Sequence, residues 1–393
     1  LKTIVEGLEA ILNNEAMLKN VMKEELRKVK KEFGTQRKTD IQEEVSELKI
    51  ELSEMIAKED VVVQLTKDGY IKRSSLRSYS STSEEITLKE GDYILGLFEM
   101  NTTDTLLVFT NLGNYLYIPV HTIPDLKWKD LGKHISNLIK LEEQEEVISC
   151  VPVSDFSTDQ TVVMVSKHGM IKQSSLKDFK VQRYSKPITC MKLKEEDVMV
   201  QACLCDQPEI FLSTKKGYGL WFDREEVPVV GLKTSGVKAM NLKEDEIVSA
   251  SCFQMKEDSY VVVIFDKGTG KRIRLSEFDK QTRARRGLMI VKEVKTNPYH
   301  VVRSFVLPSK VHVGIKHEDI QMLKITELPI MDRYSTGSAI SRGEIIDAFE
   351  VKNLQKMEEE KEEIEILEEI PKKEISLKEI DERLMTIDDF LNE

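Results

Sequence analysis

Apolar and polar positions follow two different periodicities along the chain. In the first 60 residues apolar side chains recur at helical spacing, as at Met17, Val21 and Leu26, and a second helical pattern covers 41–57. Gly34 is placed to cap the first of these helices. From Val61 short β-branched runs such as DVVVQLT and SYVVVIF alternate with turns rich in Gly, Asn, Asp and Ser. The pattern predicts a helical segment at 1–60 and a mainly β domain at 61–351.

The β region is internally repeated. Its turn glycines lie at 69, 113, 169, 217 and 268, at separations of 44, 56, 48 and 51 residues, and a sixth unit turns at Glu318, 50 residues further on. This period is typical of propeller blades, in which a unit that cannot bury both faces alone packs against its neighbours. The repeats predict about six four-stranded blades in a β-propeller.

Two motifs recur inside the units. Gly-x-x-Lys-(Arg/Gln)-x-x-Leu begins at Gly69, Gly169 and Gly268, and a second anchor reads LKEGD at 88, LKEED at 193 and LKEDE at 242. The first motif places Lys72, Lys172 and Lys271 at one repeat position. In a ring these side chains are expected to face the same way.

Charge is distributed unevenly. The net charge of −11 comes from the ends, because residues 61–351 contain 40 Lys/Arg and 40 Asp/Glu. A neutral middle is free to segregate a basic face. The acidic stretch 352–393 lacks a core pattern and is predicted to be mostly disordered. Two interpretations of it stay open: a solvated tail, or a DNA mimic that competes for basic residues.

Composition and motifs indicate no catalytic role. The six histidines show no metal-ligand spacing, and GTGK at 268–271 lacks the first Gly and the Ser/Thr of a phosphate-binding loop. Five cysteines without a CxxC pair predict reduced thiols in a cytoplasmic protein. No apolar run reaches the roughly 18 residues of a membrane span. The first residue is Leu, so we expect the chain to be a fragment.

Basic residues gather at the repeat position and on the connections that follow it. A ring of such residues is suited to binding phosphates of bent double-stranded DNA without reading bases. An ordinary mixed-charge surface remains the alternative. The candidate DNA-binding residues are Lys72, Arg73, Arg77, Lys172, Lys177, Lys180, Arg183, Lys271, Arg272, Arg274, Lys280, Arg283, Arg285 and Arg286.

The helical stretch EELRKVKKEFGTQRKTDI followed by EDVVVQLTKDGYIKR resembles the A subunits of bacterial type IIA topoisomerases. There, the end of a coiled coil leads into a C-terminal β-pinwheel. The resemblance covers 1–351. The Arg/Gly-rich box of gyrase A is absent after the first unit, and QTRARRG at 281–287 is a degenerate relative of it. The stretches DTLLVFTNLGNYLYIPV and RARRGLMIVKEVKTNPYHVV look like topoisomerase IV subunits of the Gram-positive type.

The resemblance implies a non-catalytic domain that binds and bends DNA during decatenation and relaxation of supercoils in chromosome segregation. It implies an A-subunit homodimer joined to an ATPase B subunit, with Mg and ATP bound outside this chain, no cofactor within it, and a nucleoid-associated, cytoplasmic enzyme. The catalytic tyrosine of the family lies upstream of the matching region. Three alternatives stay open: a gyrase-type wrapping domain, a propeller scaffold for protein partners, and a propeller enzyme with a channel site.

Overall fold

The computed structural model describes residues 2–35, 56–82 and 86–356. The chain divides into two compact units, Leu1–Glu54 and Met55–Glu393. In its described residues the first unit is helical and the second is built mainly from strands. The predicted helical stretch at 41–57 and the acidic stretch at 352–393 lie mostly outside the described residues, so the prediction of a disordered tail stays a prediction.

The first unit contains two helices, α1 (Lys2–Asn13) and α2 (Glu15–Phe33). Asn14 separates them and caps α2, because its side-chain oxygen accepts from the backbone N–H of Ala16 at 3.0 Å. Neither helix buries a residue. Gly34 ends α2 as predicted, since its N–H donates to the Lys30 carbonyl at 2.9 Å, but with φ −67° it is not a left-handed cap.

Six sheets, called blades 1 to 6 in chain order, form the second unit. Each blade contains a hairpin and a third strand that pairs antiparallel with the first strand of the hairpin. A short helix, α3 (Leu76–Thr82), follows the hairpin of blade 1. The strands are β1 (Asp60–Thr66), β2 (Tyr70–Ser75) and β3 (Ile94–Asn101) in blade 1; β4 (Thr105–Thr110), β5 (Asn114–Pro119) and β7 (Val147–Val153) in blade 2; β8 (Thr161–Ser166), β9 (Met170–Ser175) and β11 (Met199–Cys205) in blade 3; β12 (Glu209–Thr214), β13 (Tyr218–Asp223) and β15 (Ile247–Phe253) in blade 4; β16 (Ser259–Phe265), β17 (Thr269–Arg274) and β19 (Val301–Pro308) in blade 5; and β20 (His312–Lys316), β21 (Ile320–Lys324) and β23 (Asp347–Glu350) in blade 6.

The fourth strand of blades 1 to 5 comes from the following repeat. These two-residue strands pair with the second hairpin strand of the preceding unit and are β6 (Lys133–His134), β10 (Ile188–Thr189), β14 (Val237–Lys238), β18 (Leu288–Met289) and β22 (Ser338–Ala339). Blades 1 to 5 thus contain the four strands that were predicted, although each repeat supplies three strands to its own blade and one to the preceding blade. Blade 6 has three strands among the described residues, and β24 (Gln355–Lys356) pairs parallel with β3 of blade 1.

The core lies between consecutive blades. Between blades 3 and 4, for example, Val163, Leu212 and Ile247 belong to one buried apolar cluster. Blades 1 and 6 are also in contact, because the ring of Tyr93 stacks on Phe349 with centroids 3.7 Å apart. The Tyr93 hydroxyl donates to Asp347 at 2.9 Å. The six blades thus form a closed ring, in agreement with the predicted propeller.

The second sequence anchor holds the hairpin turns. In blade 3, Asp197 accepts from the Ser166 hydroxyl at 2.7 Å and from the backbone N–H of His168 at 2.9 Å. The preceding residue, Glu196, has φ 62°, and this bend in the backbone directs the carboxylate of Asp197 towards the turn. Asp92 makes the equivalent contact in blade 1, at 3.0 Å from the N–H of Asp68. The LKE motif is thus a structural clamp.

Candidate nucleic-acid interface

Five segments cross the outer side of blades 1 to 5 and are called the outer loops. Each runs into the short strand that completes its blade; they are residues 125–132, 180–187, 229–236, 280–287 and 330–337. Four of them end in a glycine of positive φ, and Pro187 occupies the corresponding position in blade 2. At Gly236 a Cβ atom would collide with the carbonyl oxygen of Ile171, so this close approach requires glycine.

The repeat lysines lie beneath three of these loops and not on the surface. Lys72, Lys172 and Lys271 are each exposed by 1% or less. The Lys172 ammonium donates to the carbonyls of Gly231 at 2.9 Å and Leu232 at 2.8 Å. Lys271 donates to three carbonyls of the loop in blade 5, and Lys72 to two in blade 1. The prediction that these three lysines bind DNA was wrong, because their donors are engaged inside the fold.

Burial changes the acid–base behaviour of these lysines. Desolvation lowers the pKa of Lys72, Lys172 and Lys271 from 10.5 to about 8 in each case. The ammonium of Lys72 also lies 4.6 Å from the ring centroid of Trp128, a further contact that favours the cation. A charged group is retained at this position because it satisfies several loop carbonyls at once.

The residue after the repeat lysine makes side-chain hydrogen bonds inside the fold in blades 3 and 5. Arg272 lies over the Tyr260 ring and donates to the carbonyl of Leu328 at 2.7 Å. Gln173 donates to the Val227 carbonyl at 2.8 Å in the same way. The side chain of Arg73 is 19% exposed and lies 4.0 Å from an Asp125 oxygen. The contacts of Arg272 therefore argue against its predicted role in DNA binding, whereas for Arg73 that role stays a prediction.

The basic patch at 280–287 is only partly available. Lys280 is paired with Glu209 at 2.9 Å and with Asp223, and Arg283 donates to backbone carbonyls of Glu226 and Lys238. Two further arginines remain at the loop surface. Arg285 is exposed, and the half-buried Arg286 has its guanidinium 4.1 Å from the ring centroid of Tyr218.

The remaining candidates are exposed. They are Arg77, Lys177, Lys180, Arg183 and Arg274. Of these, Lys177 is paired with the exposed Asp159 at 2.7 Å, a contact that solvent weakens. Arg77 lies on α3, and Arg274 ends β17.

Two exposed cations in the outer loop of blade 1, Lys127 and Lys129, are absent from the sequence candidates, and Asp125 and Asp130 of the same loop balance their charge. The signal that reveals them is the glycine that ends the loop. When Gly132, Gly236, Gly287 and Gly337 are aligned, the stretches that precede them become equivalent. Alignment on the hairpin glycines alone leaves this correspondence hidden.

A cavity of about 910 Å³ is lined by residues of all six blades. Several of its cations face carboxylates, with Lys167 at 3.1 Å from Glu246 and Arg303 at 3.2 Å from Asp347. Such pairs leave little net field for a polyanion.

In 2–35, 56–82 and 86–356, no three His, Cys, Asp or Glu side chains form a group that could hold a metal ion. No helix within the same ranges is long and apolar enough to cross a bilayer.

The fold defines a class of protein, the six-bladed β-propeller in which consecutive blades exchange a short outer strand. The family model for the DNA gyrase C-terminal domain, β-propeller, matches residues 60–98, 104–154, 160–202, 208–253 and 259–307. The chain belongs to this family, the C-terminal propeller domains of the A subunits of gyrase and topoisomerase IV. The matched segments correspond to blades 1 to 5.

Similar proteins agree with this assignment. The A subunit of DNA topoisomerase 4 from Bacillus subtilis is 42% identical over 338 residues, which are 85% of this chain and 42% of that protein. The crystal structure of the C-terminal domain of DNA topoisomerase IV has a TM-score of 0.73 and 43% identity, covering 76% of this chain and 95% of that one. The resemblance inferred from the sequence is confirmed.

A gyrase A C-terminal domain has a TM-score of 0.57 at 23% identity and shares the fold; it covers 75% of this chain and 100% of that one. The chain spans less than half the length of the curated relatives that it matches, 42% of one and 44% of another.

Proposed function

We propose that the propeller is a non-catalytic module that binds and bends double-stranded DNA within a type IIA topoisomerase. The observation that carries the proposal is the excess of exposed cations on outer loops of the ring, as at Lys180, Arg183 and Arg285. These loops offer long cationic side chains on irregular segments and no helix or ribbon shaped to enter a groove. The arrangement suits phosphate contacts, which position DNA without reading sequence.

A rigid cationic rim favours a bent duplex. DNA that follows the rim gains phosphate contacts, and this gain offsets the elastic energy of bending, on the order of 1–6 kcal/mol for 40–90° over a short site. Because the chain resembles topoisomerase IV A subunits more than gyrase A, we propose bending and capture of a crossing duplex rather than a complete chiral wrap.

The same resemblance supplies the proposed context. The relatives are A subunits of topoisomerase IV. We propose that the intact enzyme pairs two A subunits with ATPase B subunits and uses Mg and ATP held elsewhere. Its action in the cytoplasm is ATP-dependent decatenation and relaxation of supercoils during chromosome segregation, with the catalytic tyrosine outside this chain.

The test is equilibrium binding of the whole chain to a short fluorescent duplex across a salt series. Each phosphate contact adds about 0.9 to the slope of log affinity against log salt. We expect a steep slope, equal affinity for duplexes of unrelated sequence, and a rise in energy transfer between dyes at the two duplex ends. A matched control replaces Lys19, Lys23 and Lys28 of α2 by Gln. Absence of binding at low salt would overturn the proposal. It would also be overturned if this control lost as much DNA affinity as a variant in which Lys180, Arg183 and Lys186 of an outer loop are replaced by Gln.

The distinction between bending and wrapping has its own readout. Closed circular DNA relaxed in the presence of the chain keeps a change in linking number if DNA is wrapped with one hand. We expect little change at saturating protein. A large shift of one sign would favour the gyrase-type alternative.

A further inference from the structure

The five outer loops differ sharply in charge, and the difference alternates around the ring. The formal charge of the loop is 0 in blade 1, +3 in blade 2, +1 in blade 3, +4 in blade 4 and 0 in blade 5. The corresponding sequences are DLKWKDLG, KVQRYSKP, VVGLKTSG, KQTRARRG and IMDRYSTG. The strongly basic loops therefore belong to the even blades.

The residue beneath each loop alternates in the same way. In blades 1, 3 and 5 the third residue after the hairpin glycine is the buried lysine already described. In blades 2 and 4 that position is held by Leu116 and Leu220, which are buried in apolar clusters. A loop above a buried ammonium turns its carbonyls inward, and further cations on that loop would be repelled by the ammonium. A loop above a leucine has no buried cation beneath it, so it can carry several cations on its outer side without this repulsion.

The cations of the two even loops are exposed to different degrees. In blade 2, Lys180, Arg183 and Lys186 are all exposed, and none has an ion pair among the described residues. In blade 4, Lys280 and Arg283 are engaged within the fold, so the cations left to the loop surface are the exposed Arg285 and the half-buried Arg286.

The odd loops carry little net charge, and the +1 of blade 3 comes from the exposed Lys233. Lys127 and Lys129 of blade 1 share their loop with Asp125 and Asp130. In blade 5, Arg333 donates to the Met289 carbonyl at 3.2 Å.

We infer that DNA is held at two places, the outer loops of blades 2 and 4, and passes over the nearly neutral loop of blade 3 between them. This inference rests on the proposed function and specifies which part of the rim performs it. Two steps in a ring of six blades correspond to about a third of the circumference. Contacts confined to that arc would bend a duplex without carrying it around the whole ring.

Two variants with the same change in charge separate the classes of blade. The even-blade variant carries Lys180→Gln, Arg183→Gln and Lys186→Gln. The odd-blade variant carries Lys127→Gln, Lys129→Gln and Lys233→Gln, at residues that are exposed as well. We expect the even-blade variant to lose at least about tenfold in affinity and to lower the salt slope by about 2 to 3, at about 0.9 per contact. The odd-blade variant should stay within about twofold of the parent chain.

A single-residue pair tests the second contact. Arg285→Gln should lower the slope by about 0.9, and Lys129→Gln should leave it unchanged. Thermal melting of every variant checks that the fold is retained, since each changed side chain is exposed. Equal losses in the even and odd variants, or losses in the odd variant alone, would overturn the inference while leaving DNA binding intact. A parent chain that binds no DNA would instead remove the proposed function itself.

Discussion

The buried lysine of blade 5 provides a test of how the propeller is held together. We consider the substitution Lys271→Met, which keeps the unbranched stem and removes the ammonium. In the parent chain that ammonium donates to the carbonyls of Asp332 at 3.0 Å, Arg333 at 2.8 Å and Ser335 at 2.9 Å. The variant leaves these three acceptors without their donor.

Two opposing terms determine the magnitude. Each orphaned carbonyl costs about 1–3 kcal/mol, so three cost about 6 kcal/mol at the middle of that range. Against this, the methionine avoids burying a charge. The pKa of Lys271 falls from 10.5 to about 8, and at about 1.4 kcal/mol per pKa unit burial of the charge costs about 3 kcal/mol. We therefore expect Lys271→Met to destabilise the chain by about 3 kcal/mol at neutral pH.

The assay is urea denaturation of the whole chain, with the midpoint and slope compared between variants. Leu220→Met is the matched control, because it changes the same repeat position in a blade that has no buried ammonium, and we expect it to cost less than about 1.5 kcal/mol. If Lys271→Met destabilises the chain no more than Leu220→Met does, or stabilises it, the loop does not depend on the ammonium. Either result would refute the reasoning.

Three further predictions follow from buried or strained groups. The pKa of Lys172 is about 8 in the fold and 10.5 as a free side chain, so the unfolded chain binds more protons between these values. As the pH rises from 7 to 9, the unfolding free energy of the parent chain should therefore rise by about 1 kcal/mol relative to that of Lys172→Met. A constant difference in unfolding free energy across that range would contradict the lowered pKa. Gly236→Ala should destabilise the chain by at least about 2 kcal/mol, because φ is 79° and the added Cβ would meet a carbonyl oxygen. Gly231→Ala in the same loop is the control, since its Cβ would point into open space and the change should be nearly neutral. Equal melting temperatures of the two variants would count against the close approach at Gly236. The thiol sulfurs of Cys203 and Cys252 lie 3.0 Å apart on adjacent blades, so the dithiol oxidant diamide should cross-link them, and peptide mapping that finds both reduced would argue against this proximity.

The repeat was readable from the sequence because its signals are local. Turn glycines such as Gly69 and Gly169 adopt positive φ, which glycine does without strain, and the β-branched runs between them favour strands. The exchange of the fourth strand was not readable. A two-residue strand such as Val237–Lys238 has no periodicity of its own, and its partner lies in the preceding unit, more than 60 residues away.

The candidate site was predicted less well for a physical reason. A Lys-Arg pair in a turn motif has the same letters whether it faces solvent or the interior, and only the loop that arrives from the next unit decides. In blade 1 that loop covers and buries Lys72. Lys180 is itself part of an outer loop, that of blade 2, and is exposed. The basic character of 280–287 is evident from its sequence. The carboxylates that pair with Lys280, those of Glu209 and Asp223, lie in distant parts of the chain and give no local signal.

The exchange of short strands has a consequence for how such a ring changes in evolution. The segment that is copied in a tandem duplication is not the blade, because each copy carries a strand that belongs to the blade before it. Inserting one copy anywhere in the array would therefore give one strand to its predecessor and take one from its successor. The number of blades can change in this way without leaving an open sheet edge in the interior of the array, and the unmatched edge stays at the last blade, where β21 has no outer strand among the described residues. Lineages that gain or lose a repeat would be expected to differ first at that end of the ring.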